Sequence, residues 1–126
     1  MNLLVDSSFV IDHLAGDAGA RARWDRIFAA GEQPFVTEIV VCEVRAGLRQ
    51  RDEGLLAAFL FPIEFVQPGP DTAIQAGRWR YDAHRQGRRL GLADGLIAAA
   101  AASLNAAVLT RNVRDFALTP VRVETY

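Results

Sequence analysis

The chain contains no lysine: all 14 of its basic residues are arginine. That absence removes the phosphate-binding lysine of a P-loop, and no G-x-G-x-x-G run is present to receive a dinucleotide. There is one cysteine, Cys42, so no intrachain disulfide can form and a reducing cytosol is the natural compartment. The apolar neighbours of Cys42 predict an inert core thiol. No apolar run approaches the roughly 20 residues that a membrane-spanning helix needs. The N-terminal run Met1-Asn2-Leu3-Leu4-Val5 is too short for a signal sequence and has no basic residue before it. Repeats, low-complexity tails and linkers are also lacking. The expectation is a cytoplasmic protein whose 126 residues form a single domain, 1–126. With a net charge of −1, bulk electrostatics draw it to neither nucleic acid nor membrane.

What is present is an alternation of short strand-like and longer helical runs, the pattern of an α/β domain with a parallel sheet. Leu3–Val5 reads as a buried first strand. Ser7-Ser8 supplies capping hydroxyls for a helix through Phe9, Val10, Ile11 and Leu14. A second helix is predicted over Ala18–Ala30, with Trp24, Ile27 and Phe28 on its inner face and Gly31 ending it. Pro34–Thr37 is a second strand, followed by a helix from Glu38 to about Arg51 and a shorter one over Glu53–Phe61. Ile63–Val66 alternates with period two and forms a third strand. Gln67-Pro68-Gly69-Pro70 is the clearest loop, after which Asp71 or Thr72 caps a basic helix reaching Gln86 and stopped by Gly87. An alanine-rich helix over Ala93–Asn105 reads as buried against the sheet. Ala107–Thr110 and Val121–Val123 complete the strands.

Four acids stand where these apolar elements begin, break or end: Asp6, Glu43, Asp94 and Asp115. Unpaired carboxylates are costly near a core. In an open parallel sheet, ligands bind beyond the carboxyl ends of the strands, where the strand order reverses. If the first, second and fourth strands are neighbours, all four acids converge there and repel one another, and hard oxygen donors of this kind suit Mg²⁺ or Mn²⁺. Each acid taken alone has an ordinary role at a helix start or in a turn. The set points to a metal site.

The arginines are unevenly placed: Arg78, Arg80, Arg85, Arg88 and Arg89 cluster in one segment, with Trp79 and Tyr81 interleaved. Such a segment offers cations to the phosphates of a nucleic acid and rings to its bases. A solvated basic helix face with Trp79 packed inward accounts for the same residues equally well. His13 and His84 lack metal-ligand spacing and read as surface or helix-face residues.

The segments Leu4-Val5-Asp6-Ser7-Ser8, Glu43-Val44-Arg45-Ala46-Gly47, Ala93-Asp94-Gly95-Leu96-Ile97-Ala98-Ala99 and Leu109-Thr110-Arg111-Asn112-Val113-Arg114-Asp115-Phe116 occur in the order and at the spacing of a known family. In them the chain resembles the PIN-domain ribonucleases, specifically the VapC-type toxins of prokaryotic toxin–antitoxin pairs. It departs at Gly95, where the family usually has an apolar residue or alanine. The resemblance implies a three-layer α/β/α sandwich around a mainly parallel sheet of four to five strands, and Mg²⁺- or Mn²⁺-dependent endonucleolytic cleavage of RNA with one or two ions. It implies that Asp6, Glu43, Asp94 and Asp115 bind metal and carry catalysis. Ser7, Thr110 and Asn112 would then support the ligands or touch substrate, or serve only as capping and turn residues. It also implies a small VapB-like antitoxin covering the acidic pocket, with an apolar groove lined by Trp24 and Phe28 as its seat, and a homodimer. The competing reading is a catalytically silent PIN-like module that docks RNA or protein. Dehalogenase-like phosphotransferases and response-regulator receivers are excluded, because both rely on an active-site lysine.

Overall fold

The computed structural model describes residues 1–126, and the elements follow the alternation read from the sequence. They are β1 (Asn2–Val5), α1 (Ser7–Leu14), α2 (Ala18–Ala29), β2 (Gln33–Thr37), α3 (Glu38–Ala46), α4 (Glu53–Leu60), β3 (Glu64–Val66), α5 (Pro70–Arg85), α6 (Leu92–Ser103), β4 (Ala106–Leu109) and β5 (Val123–Glu124). Two short 3₁₀ turns, Gln50–Asp52 and Val113–Phe116, complete the chain. All strand pairs are parallel, in the order β3-β2-β1-β4-β5. Leu3, Leu4, Val5 and all of Ala106–Leu109 are buried, so both faces of the central strands are covered by helices. The result is a three-layer α/β/α sandwich.

α6 is the innermost helix. Gly95 and the run from Ile97 to Ala101 are all buried, which is possible because alanines let a helix approach a sheet closely on several sides. Gly95 explains itself by space. A Cβ there would lie 3.3 Å from Cγ and 3.4 Å from Cδ of Arg80, so the missing side chain makes room for the aliphatic stem of an arginine on α5.

Predicted boundaries hold to within two residues except at α3, which stops at Ala46 rather than near Arg51. Gly47 follows, a poor helix former. Arg45 also holds the departing chain, donating from Nη1 to Leu48 O (3.0 Å) and from Nε to Glu53 (2.7 Å). Cys42 is exposed, contrary to the expected core thiol: α3 buries Val40 and Val44, and Cys42 falls between them on the outer side. Pro70 begins α5, with Gly69 as its cap residue, so neither Asp71 nor Thr72 caps it.

The inner face of α2 also differs. Ala20, Arg23 and Ile27 are buried, Trp24 is half-buried, and Phe28 is exposed. Arg23 is tolerated inside because its guanidinium meets Glu32 bidentately, at 3.2 and 2.8 Å. That pair turns the 20-23-27 stripe inward and leaves Phe28 to pack edge-on against Trp24 at 4.9 Å. His13 is likewise no simple surface residue: its ring sits 5.4 Å from Trp24 and 5.0 Å from Phe59, and burial lowers its pKa.

Removing one partner of a buried ion pair strands the other charge. Glu32→Ala is therefore expected to destabilise the protein by about 3 kcal/mol in urea denaturation. A loss below about 1 kcal/mol, the range of surface pairs, would contradict this role for the pair.

Candidate active site and metal centre

The strand order reverses between β1 and β4, which places a ligand crevice beyond their carboxyl ends. β1 and β4 pair from Asn2↔Ala106 to Val5↔Leu109, so the residues that follow, Asp6 and Thr110, emerge side by side. The Asp6 N–H extends the ladder by one bond, to Leu109 O at 3.0 Å. Asp6 is only 4% exposed.

Hydroxyls hold the Asp6 carboxylate. Its Oδ2 accepts from Thr110 Oγ1 (2.7 Å) and Ser8 Oγ (3.1 Å), while Oδ1 has no hydrogen bond from the protein. Ser8 and Thr110 Oγ1 also lie 3.1 Å apart, and their oxygens accept the backbone N–H groups of Arg111 (3.1 Å) and Asn112 (2.9 Å). One oxygen of Asp6 is thereby fixed and the other left for a ligand. Thr110 thus contacts Asp6 through its hydroxyl. Asn112 contributes its backbone, and its side chain is exposed. Ser7 donates to Glu43 Oε1 at 3.1 Å, tying the start of α1 to α3.

Ser8 was missed as a site residue. The sequence pattern gives Ser8 only a capping role, but α1 has no side-chain cap bond, and Asp6 itself is the cap residue. Both hydroxyls serve carboxylates instead. The signal available was a hydroxyl two residues from a buried acid, a spacing that also fits an ordinary helix start.

Asp94 is the third residue of α6, and Asp115 lies in the 3₁₀ turn after β4. The convergence of all four acids shows in the electrostatics of Asp94. Its pKa rises from 3.8 to about 6, first through burial, then through the negative charges of Asp115, Asp6 and Glu43. No arginine relieves this. The four ion pairs are Arg23–Glu32, Arg45–Glu53, Arg49–Asp52 and Arg111–Asp12, none of which involves the set. Arg111, next to Thr110 in sequence, is diverted to Asp12 Oδ1 at 2.6 Å, while the Tyr126 hydroxyl donates to Oδ2 at 2.6 Å.

A divalent cation fits this uncompensated all-oxygen donor set. The side chains do not close as a cage of three ligands about one point.

The arginine segment divides. Arg80, Arg88 and Arg89 line a cavity of about 740 Å³ with Tyr81, His84 and Leu90, whereas Arg78 and Arg85 do not. Arg85 leans over Tyr81, 5.9 Å from the ring centroid. Trp79 is half-buried against the core, while Tyr81 stays exposed.

The raised pKa of Asp94 has a definite sign. A carboxyl that holds its proton more tightly folded than unfolded destabilises the fold above its folded pKa. The deficit fades as pH falls through about 6 and is gone below the unfolded value of 3.8. In EDTA at about pH 7.5, Asp94→Asn should melt at a higher temperature than the unaltered protein, and the gap should narrow towards about pH 5. A gap independent of pH would show that Asp94 is not strained by its neighbours.

Comparisons with known proteins give the chain its family. The family model described as PIN domain matches residues 3–120. Ribonuclease VapC19 of Mycobacterium tuberculosis is 32% identical over 117 residues, which span 93% of this chain and 94% of the relative. Among solved structures, VapBC2 from Rickettsia felis bound to a promoter DNA fragment superposes with a TM-score of 0.87 at 20% identity, covering 100% of this chain and 99% of that one. A toxin–antitoxin complex from Klebsiella pneumoniae superposes with a TM-score of 0.78 at 25% identity, covering 97% and 96%. With the family model running along nearly its whole length and so similar a relative beside it, the chain belongs to the PIN-domain family, in its VapC branch.

Proposed function

We propose that this protein is a divalent-metal-dependent endoribonuclease and the toxin of a toxin–antitoxin pair. The observation that carries the reading is the acid set itself: Asp94 crowded by Asp6, Glu43 and Asp115, with no arginine paired to any of them. Such a site attracts a small dication, and a hydrated dication attracts a phosphodiester. The relatives supply the substrate class and the pairing, being a ribonuclease by name and toxin–antitoxin complexes by structure.

Mg²⁺ or Mn²⁺, one or two ions, would be held by Asp6 and Glu43 with Asp94 and Asp115, and would supply Lewis-acid polarisation of water and phosphate. The chain's own residues set the geometry. Thr110 and Ser8 fix Asp6 through Oδ2 and leave Oδ1 without a protein hydrogen bond, and Ser7 donates to Glu43. Asp94 and Asp115 would complete the pocket, and one of the two would orient the attacking water. Its oxygen bonds to phosphorus as the bond to the 3′ oxygen breaks, and the leaving oxygen takes up a proton.

An antitoxin seat is supported by apolar grooves along α1. One, of about 330 Å³, is lined by Leu14, Trp24 and Phe59, and another, of about 310 Å³, by Ile11, Val44 and Leu55. Val44 neighbours Glu43, so a peptide seated there would pass beside the acids. Trp24 lines the first groove as expected, and Phe28 borders it only through Trp24.

Purified protein should cleave RNA with Mg²⁺ and stop in excess EDTA. Asp6→Asn should lower the rate at least about 100-fold, equivalent to about 2.7 kcal/mol in the barrier, with an unchanged circular dichroism spectrum. Cleavage by folded Asp6→Asn at the unaltered rate would defeat the reading.

A further inference from the structure

The cavity between α5 and the segment leading into α6 is a positively charged chamber. One wall is a single stripe of α5, with Arg80, Tyr81 and His84 at helical spacing. The other is the segment Arg88–Leu90. Its shape follows from how α5 ends. Gly87, at φ +70°, takes the left-handed conformation, its N–H donates to His84 O at 2.9 Å, and the Arg88 N–H donates to Ala83 O at 2.9 Å. This double closure is a Schellman motif, and it folds Arg88 and Arg89 back over the stripe.

The cations are available. Arg88, Arg89 and Arg80 form no ion pair, and no acidic residue lines the cavity. Arg80 is also pre-positioned. Its stem lies over Gly95, and its Nε donates to Leu90 O at 3.1 Å, leaving both terminal nitrogens free of protein partners.

The chamber adjoins the acid site. Leu90 lines it, and a Cβ on the next residue, Gly91, would lie 3.5 Å from Asp94 Oδ2. Gly95, on which Arg80 rests, follows Asp94 directly. A carboxylate cluster repels the strand that must cross it, and a neighbouring chamber of free guanidinium groups opposes that repulsion.

We propose that Arg80, Arg88 and Arg89 bind phosphodiesters of the RNA strand flanking the one at the acids, with the exposed Tyr81 ring stacking on an adjoining base. This rests on the ribonuclease reading and adds where the strand is held. A planar guanidinium fork suits two phosphate oxygens, and an exposed tyrosine suits an unpaired base, so single-stranded RNA fits better here than an acidic protein surface.

The test is fluorescence anisotropy with a labelled single-stranded oligoribonucleotide, using Asp6→Asn protein so that the probe stays intact. Arg88→Ala/Arg89→Ala in that background should weaken binding at least about tenfold and flatten the slope of log affinity against log salt by about 1.4, for two lost phosphate contacts. Arg26→Ala/Arg51→Ala, which removes two exposed arginines elsewhere, should leave both unchanged. Tyr81→Ala should weaken binding without changing the slope, whereas Tyr81→Phe should preserve it. Equal losses in the two arginine pairs would overturn the proposal, as would RNA binding retained while antitoxin binding is lost. Failure of the ribonuclease reading is separable: it would appear as absent cleavage by the unaltered protein, whatever the arginine variants do to binding.

Discussion

The carboxylate of Asp6 is buried where two parallel strands end together, and the Thr110 and Ser8 hydroxyls hold one of its oxygens there. The register of β1 against β4 puts Asp6 and Thr110 in reach, and the Ser8 and Thr110 oxygens in turn anchor the backbone of the loop leading to Asp115. The central strands, the first turn of α1 and the loop after β4 thus share one small hydrogen-bonded junction. A hydroxyl exchanged for a methyl at Thr110 would leave Asp6 held by Ser8 alone and loosen that loop at Asn112.

Charge allocation is the second constraint. A lysine-free chain carrying 14 arginines has cations enough to neutralise four acids. Instead Arg23, Arg45, Arg49 and Arg111 are engaged elsewhere, and Arg80, Arg88 and Arg89 face a chamber beside the acids rather than among them. Acid and base are kept apart across the short span from Leu90 to Gly95. Gly91 and Gly95 matter there for the space they leave, one beside the Asp94 carboxylate and one beneath the Arg80 stem.

Much of this was legible beforehand because it depends on local pattern. Strands and helices announce themselves by periodicity and by their terminators, and the four acids stand at their joints. Errors arose where a distant partner decides. Arg23 turns α2 by pairing with Glu32, leaving Phe28 exposed. Arg45 ends α3 early by reaching for Leu48 and Glu53. Cys42 has apolar neighbours along the chain, yet it points away from the stripe that packs. Ser8 looked like a cap because a hydroxyl at a helix start usually is one, and only the folded chain brings Asp6 and Thr110 to it.

Composition and motif order by themselves determined the α/β class, the succession of elements and the placing of four acids at their joints, since these follow from short-range periodicity and from residue types that a core rejects. Tertiary structure alone decided which oxygen of Asp6 is free, which arginines remain unpaired and which of them share a chamber with Tyr81. Those outcomes depend on contacts between residues up to about a hundred positions apart in the chain, such as Ser8 with Thr110, and no local pattern carries that information.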